Sequence, residues 1–159
     1  LEQCEDQREY HRLLGKILIL GSYLKRRKNL TLSALEGKEL KEEELIQSLR
    51  ESCSNLVFCE IHGQYYIETG KETLPAELVL KAYDFFEQIV ELLLKQGGSF
   101  FYRLTQMDGG LRISVNLEGD CQTESLQEKY PLLHMEQEEE KEWFLALQLS
   151  EKGGSNEIL

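Results

Sequence analysis

The chain lacks any apolar run near the roughly 20 residues that a bilayer-crossing helix requires. Leu1 opens no signal-peptide pattern of basic, apolar and small-residue regions. A soluble, cytoplasmic protein is expected, with membrane attachment only through a region preceding Leu1. A start without Met fits a fragment of something longer. Basic residues are also few. Lys and Arg number 18 against 29 Asp and Glu, a formal net charge of −11, and a surface that neutralises phosphates needs the opposite balance. This excludes nucleic acid as a partner. Cys4, Cys53, Cys59 and Cys121 contain no C-x-x-C pair, which supports reduced thiols over a zinc site. There is no nucleophile elbow, Cys/His signature or EF-hand pattern, and the acidic run Glu136–Glu142 reads as a solvated face. No metal site is expected.

What is present is the composition of a folded protein. Hydrophobic residues make up 41% and charged residues 30% of 159 positions, enough for one core or for a helical dimerisation element joined to a small domain. From about Glu5 to Lys28, apolar residues recur at Tyr10, Leu13, Leu14, Ile17, Leu18, Gly21 and Leu24, the rhythm of an amphipathic helix. Lys25-Arg26-Arg27-Lys28 closes it, where cations suit the helix dipole. A turn around Gly37 leads to a second helix from about Glu39 to Phe58, with acidic residues in its first turns and Leu45, Ile46, Leu49, Cys53, Leu56 and Val57 on one face. Two such helices form an antiparallel hairpin, and pairing two hairpins into a four-helix bundle would cover both apolar stripes.

After Gly63 the period shifts toward 2. Gln64–Glu68 reads as a strand, Pro75 starts a helix that ends at Gly97-Gly98, and two strands, 100–104 and 111–117, flank the turn Asp108-Gly109-Gly110. Residues 119–141 read as loop with at most one short helix, 143–149 as a last strand and 151–159 as a flexible tail. The fold class is therefore α+β: a helical hairpin domain over 1–62, then a small α/β sandwich over 63–150. His62 sits at the expected end of the second helix and His134 in the acidic region, neither with a partner by spacing.

This order resembles the transmitter region of bacterial sensor histidine kinases, in which a dimerising hairpin bearing a phosphoacceptor His precedes an ATP-binding α/β domain. Glu9-Tyr10-His11-Arg12-Leu13-Leu14-Gly15-Lys16-Ile17-Leu18 is similar to the family pattern E-x-H-D-x-x-G-x-x-L at Glu9, His11, Gly15 and Leu18. The resemblance implies that His11 is the phosphoacceptor, flanked by Glu9 and by Arg12 in place of the usual acid, which is the general base of phosphorylation. In the second half, Glu91-Leu92-Leu93-Leu94-Lys95 aligns with the family's E-A-L-x-N, and Leu117-Glu118-Gly119-Asp120-Cys121 with its D-x-G-x-G.

Both motifs are degenerate. Lys95 replaces the Asn that helps hold magnesium on the ATP phosphates, and an ammonium ligates no metal. Leu117 replaces the Asp that accepts the adenine amino group, and no Gly-rich phosphate loop follows. The resemblance thus implies a homodimeric, histidine-kinase-like signalling module without ATP or magnesium, docking a response-regulator receiver domain or a partner kinase. Two alternatives stay open: a histidine phosphotransferase relaying phosphate through His11, and an active kinase fragment with a divergent ATP site.

Overall fold

The computed structural model describes residues 2–150, so the expected tail over 151–159 lies outside the described residues. The order is α1 (Glu2–Leu35), β1 (Glu39–Lys41), α2 (Glu42–Leu56), a 3₁₀ turn (Val57–Cys59), β2 (Ile61–Glu68), β3 (Thr73–Pro75), α3 (Ala76–Leu94), β4 (Gly98–Met107), β5 (Gly110–Glu118), α4 (Glu124–Lys129), β6 (His134–Glu139) and β7 (Glu142–Ser150).

The first helix runs about two turns past its expected end. Beyond Lys28 no residue breaks a helix, and Leu30 and Ala34 are half-buried there. It stops at Gly37, whose φ of 66° lets Lys38 N–H reach back to the Ser33 carbonyl at 2.9 Å and Gly37 N–H to that of Ala34 at 3.1 Å. The basic run therefore lies inside the helix and not at its end. The start of α2 shifts from Glu39 to Glu42 because Glu39–Lys41 pairs antiparallel with Thr73–Pro75, a non-local pairing that no local pattern announces.

The five-stranded sheet has the order β2-β4-β5-β7-β6, parallel between β2 and β4 and antiparallel elsewhere. The crossover from β2 to β4 carries α3. Asp108-Gly109 makes the expected tight turn between β4 and β5, with Met107 opposite Gly110. Residues 119–141, expected to be mostly loop, hold both α4 and β6. The latter strand is exposed at nearly every position, and its glutamates lie on a sheet edge where charge resists further pairing.

One face of the sheet is covered by α3. Phe86 meets Phe100 and Tyr102 edge-on at 5.6 and 5.3 Å, and the Tyr102 hydroxyl donates to the Ala82 carbonyl at 2.9 Å. On the other side of α3, Tyr83 lies against Tyr23 of α1 at 5.8 Å, and Asp84 accepts from the Tyr23 hydroxyl and from Arg27. The first two helices run antiparallel, as expected: Arg8 forks onto Glu60 at 2.6 and 2.7 Å, and Arg26 pairs with Glu51. Ile19 of α1 and Leu45, Leu49 and Leu56 of α2 belong to the same buried cluster as Tyr102, Ile113, Val115 and Leu147 of the sheet. One core thus crosses the boundary expected near residue 62.

The rhythm that marked the apolar stripe of α1 points outward. Gly15, Ile19, Tyr23 and Leu30 turn inward, while Tyr10, Leu13, Ile17, Leu20 and Leu24 are each between 57% and 63% exposed. A Cβ on Gly15 would sit 2.8 Å from the Cys59 sulfur and from Phe58 Cβ, whereas one on Gly21 would meet nothing within 4 Å. Gly15→Ala is accordingly expected to destabilise by roughly 1–2 kcal/mol, an overpacking cost offset in part by helix propensity. By the same propensity, Gly21→Ala should stabilise by up to about 1 kcal/mol. Denaturant midpoints of the two variants measure the contrast.

Candidate functional site

His11 lies on the N-terminal half of α1 and is exposed, its ring edge-on to Tyr10 at 6.0 Å between centroids. Glu9 is exposed and Arg12 half-buried. Among the described residues, neither Glu9 nor Arg12 has a hydrogen bond or ion pair to His11. Glu9 and Arg12 line a shallow depression of about 550 Å³ with Asp6, Tyr10, Leu13 and Lys16, and His11 is outside its wall. Arg12 is tied to the neighbouring turn instead, since its carbonyl accepts from the Cys59 thiol at 3.6 Å. Gly15, one turn on, is packed against Phe58 and Cys59. Its small size serves contact within the chain.

The second set of motif positions gathers where the end of α3 meets the end of β5. Glu91 and Lys95 are exposed, and Lys95 is the C-cap of α3. Leu117 is buried, paired across the sheet with Phe100 and Trp143. Gly119 donates its N–H to the Lys141 carbonyl at 2.8 Å, and a Cβ there would lie 3.1 Å from the Gly97 carbonyl oxygen. The sequence motifs therefore share one end of the sheet, at which Leu117 faces the core.

What local patterns missed is the segment after β5. Thr123, Leu126, Tyr130 and Leu133 are all buried, and Tyr130 stands edge-on to Phe85 of α3 at 5.1 Å. The Gln127 side-chain amide donates to the carbonyls of Tyr130, Pro131 and Leu133 at 3.2–3.4 Å and holds the turn. The spacing of Leu126, Tyr130 and Leu133 was available as a signal, but the surrounding Glu and Gln masked it.

Several other expectations resolve simply. His62 lies in β2, so it does not serve a helix end. His134 approaches Glu136 at 3.7 Å on the exposed edge strand. Of the basic run, Arg26 and Arg27 are engaged with Glu51 and Asp84, while Lys25 and Lys28 are exposed. Burial, with Glu87 close by, pushes the Cys53 thiol up to about 12, so it carries little thiolate at neutral pH. Among the described residues no group of three His, Cys, Asp or Glu is placed to hold a metal ion, and no helix is long and apolar enough to cross a membrane.

No family model and no curated protein matches the sequence. Solved structures do. The chain is similar to the histidine kinase AdeS of Acinetobacter baumannii at 6% identity and a TM-score of 0.52, over 89% of this chain and 83% of that one. It is similar to a bacterial phosphotransferase at 10% identity and a TM-score of 0.50, over 89% and 91% of the two chains. The histidine kinase ThkA in complex with the response regulator protein TrrA is 15% identical, with a TM-score of 0.48 over 86% of this chain and 50% of that one. The fold is histidine-kinase-like. At this level of identity the likeness is one of architecture, and it carries no residue's role across. Within that histidine-kinase-like layout, Tyr130 is the main side chain of the segment packed on α3. Tyr130→Ala should cost about 3–5 kcal/mol, the range for emptying a buried aromatic site, and chemical denaturation reads it.

Proposed function

We propose that this chain is a histidine-kinase-like signalling module that dimerises through α1 and docks two-component partners without using nucleotide. The observation that carries the reading is the exposed seam of α1. Tyr10, Leu13, Ile17, Leu20 and Leu24 alternate steps of three and four residues, the spacing of knobs-into-holes pairing, and nothing among the described residues covers them. A second copy brings the same seam, and two antiparallel α1/α2 pairs then make a four-helix bundle. His11 follows Tyr10 directly and so borders the seam while staying reachable by solvent.

The loss of ATP and magnesium binding is supported by chemistry and by packing. The residues at the motif positions do not fit the group: Lys95 brings an ammonium where a metal ligand is needed, and Leu117 offers no acceptor. Tyr130, from the segment between β5 and β6, stands edge-on against Phe85 of α3, so this part of α3 is covered from within. An active kinase with a divergent ATP site has less support for the same reasons. A second reading, phosphate relay through His11, is favoured by the exposure of that ring and by the likeness to a bacterial phosphotransferase. Relay needs His11 chemically, whereas docking alone does not.

Sedimentation should report a dimer for the wild type and a folded monomer for Ile17→Glu, because Ile17 contributes to the seam and not to the core. A monomeric wild type ends the dimer reading. Calorimetry with Mg-ATP should show binding no tighter than about millimolar. Incubation with a phosphorylated receiver domain or a histidine kinase separates the remaining alternatives: label on the wild type that is lost in His11→Ala establishes relay, and no label leaves docking.

A further inference from the structure

The junction where α2 and α3 meet beneath α1 contains a carboxyl group that the proposed function does not use. Glu87 on α3 is 6% exposed, and its one hydrogen bond is a long one, 3.5 Å, from the Ser52 hydroxyl of α2. Beside Ser52, α2 contributes Cys53, which is half-buried, and Glu51. From its own helix come Tyr83, Asp84 and Glu91. The Tyr83 hydroxyl is buried with no hydrogen-bond partner. From α1 come Tyr23, Arg26 and Arg27, but Arg26 is held by Glu51 and Arg27 by Asp84. The strand residues that reach Cys53, Gly63 and Phe100, bring no ionisable group.

An ionised Glu87 would therefore be a buried anion with two other carboxylates, Asp84 and Glu91, as neighbours and, among the described residues, no free cation to meet it. That arrangement is costly, and it is relieved either by a proton or by opening to water. We infer that Glu87 is a proton-operated latch: its neutral carboxyl lets α2 and α3 close beneath α1, and its ionisation loosens that junction. Burial, opposed by the neighbouring hydroxyls of Ser52 and Tyr83 and reinforced by Asp84 and Glu91, pushes this carboxyl up to about 8. The direction of the linkage follows. In the closed junction Glu87 keeps a proton that an open, hydrated carboxyl releases near its ordinary value, about 4.3. Closure is thus favoured on the acid side, the cost of remaining closed grows as pH rises from the ordinary value, and it levels off above the raised one.

Cys53 lies in the same junction and reports on it. The experiment labels the full chain with iodoacetamide, resolves each cysteine by mass spectrometry and compares wild type with Glu87→Gln on either side of pH 8. The Gln variant keeps the shape of the neutral acid and follows only the supply of thiolate. The ratio of wild-type to variant labelling at Cys53 should rise by about tenfold per pH unit on the approach to pH 8 and level off above it. At Cys121, in the segment after β5, the ratio should stay flat. A flat ratio at Cys53 overturns the latch, and so does an equal rise at Cys121, which would mean loosening of the whole fold. Should Glu87→Gln fail to fold, a carbon-13 titration of the wild-type glutamates decides instead. One side chain that stays protonated at neutral pH and titrates near the value given above supports the latch, and its absence overturns it.

Discussion

Twelve residues of α3 between Ala76 and Leu93 are buried, and full exposure is confined to Glu77 and Glu91. A helix buried this widely needs cover on several sides, and each layer of the molecule supplies part of it. The sheet offers Phe100 and Tyr102, the first two helices offer Tyr23 and Ser52, and the segment after β5 offers Tyr130. The side chains that close these contacts are mainly aromatic, which gives large buried area from few residues and edge-on ring geometry. Among the polar groups of α3, Asp84 is met by Tyr23 and Arg27, while the carboxyl of Glu87 meets only the Ser52 hydroxyl at 3.5 Å.

Covering α3 also decides which side of α1 is left over. The helix turns Gly15, Ile19 and Tyr23 inward, and Gly15 lets it approach the 3₁₀ turn at Phe58 and Cys59 closely. Fixing that orientation leaves the heptad-spaced stripe on the opposite side with no internal partner. Surface ion pairs such as Arg8 with Glu60 hold the register of α1 against α2 while adding little stability, because both groups are well solvated. The proposed dimer seam and the inward packing are therefore two faces of one helix, and neither can be altered in rotation without disturbing the other.

Local periodicity was sufficient for elements whose partners are close in sequence. The hairpin at Asp108-Gly109, the helix after Pro75 and the strand from Glu142 all follow from turn chemistry and the spacing of apolar residues. It failed where a partner is distant. Glu39–Lys41 is a strand only because Thr73–Pro75 lies beside it, and His134–Glu139 is a strand only because β7 offers an edge. Neither shows an alternation of its own, since one is too short and the other is exposed at almost every position.

The candidate site divides in the same way. Sequence alone determined the acidic charge, the lack of a long apolar run, and the heptad-spaced apolar stripe of α1, since these depend on residue type and local spacing. Tertiary structure decided which face of α1 is buried, that Gly15 packs internally, that Tyr130 lies on α3, and that Glu87 meets no free cation among the described residues. Those outcomes depend on groups 35 or more residues apart in the chain, as with Ser52 and Glu87. Burial is a property of what surrounds a residue, and no local window contains its surroundings.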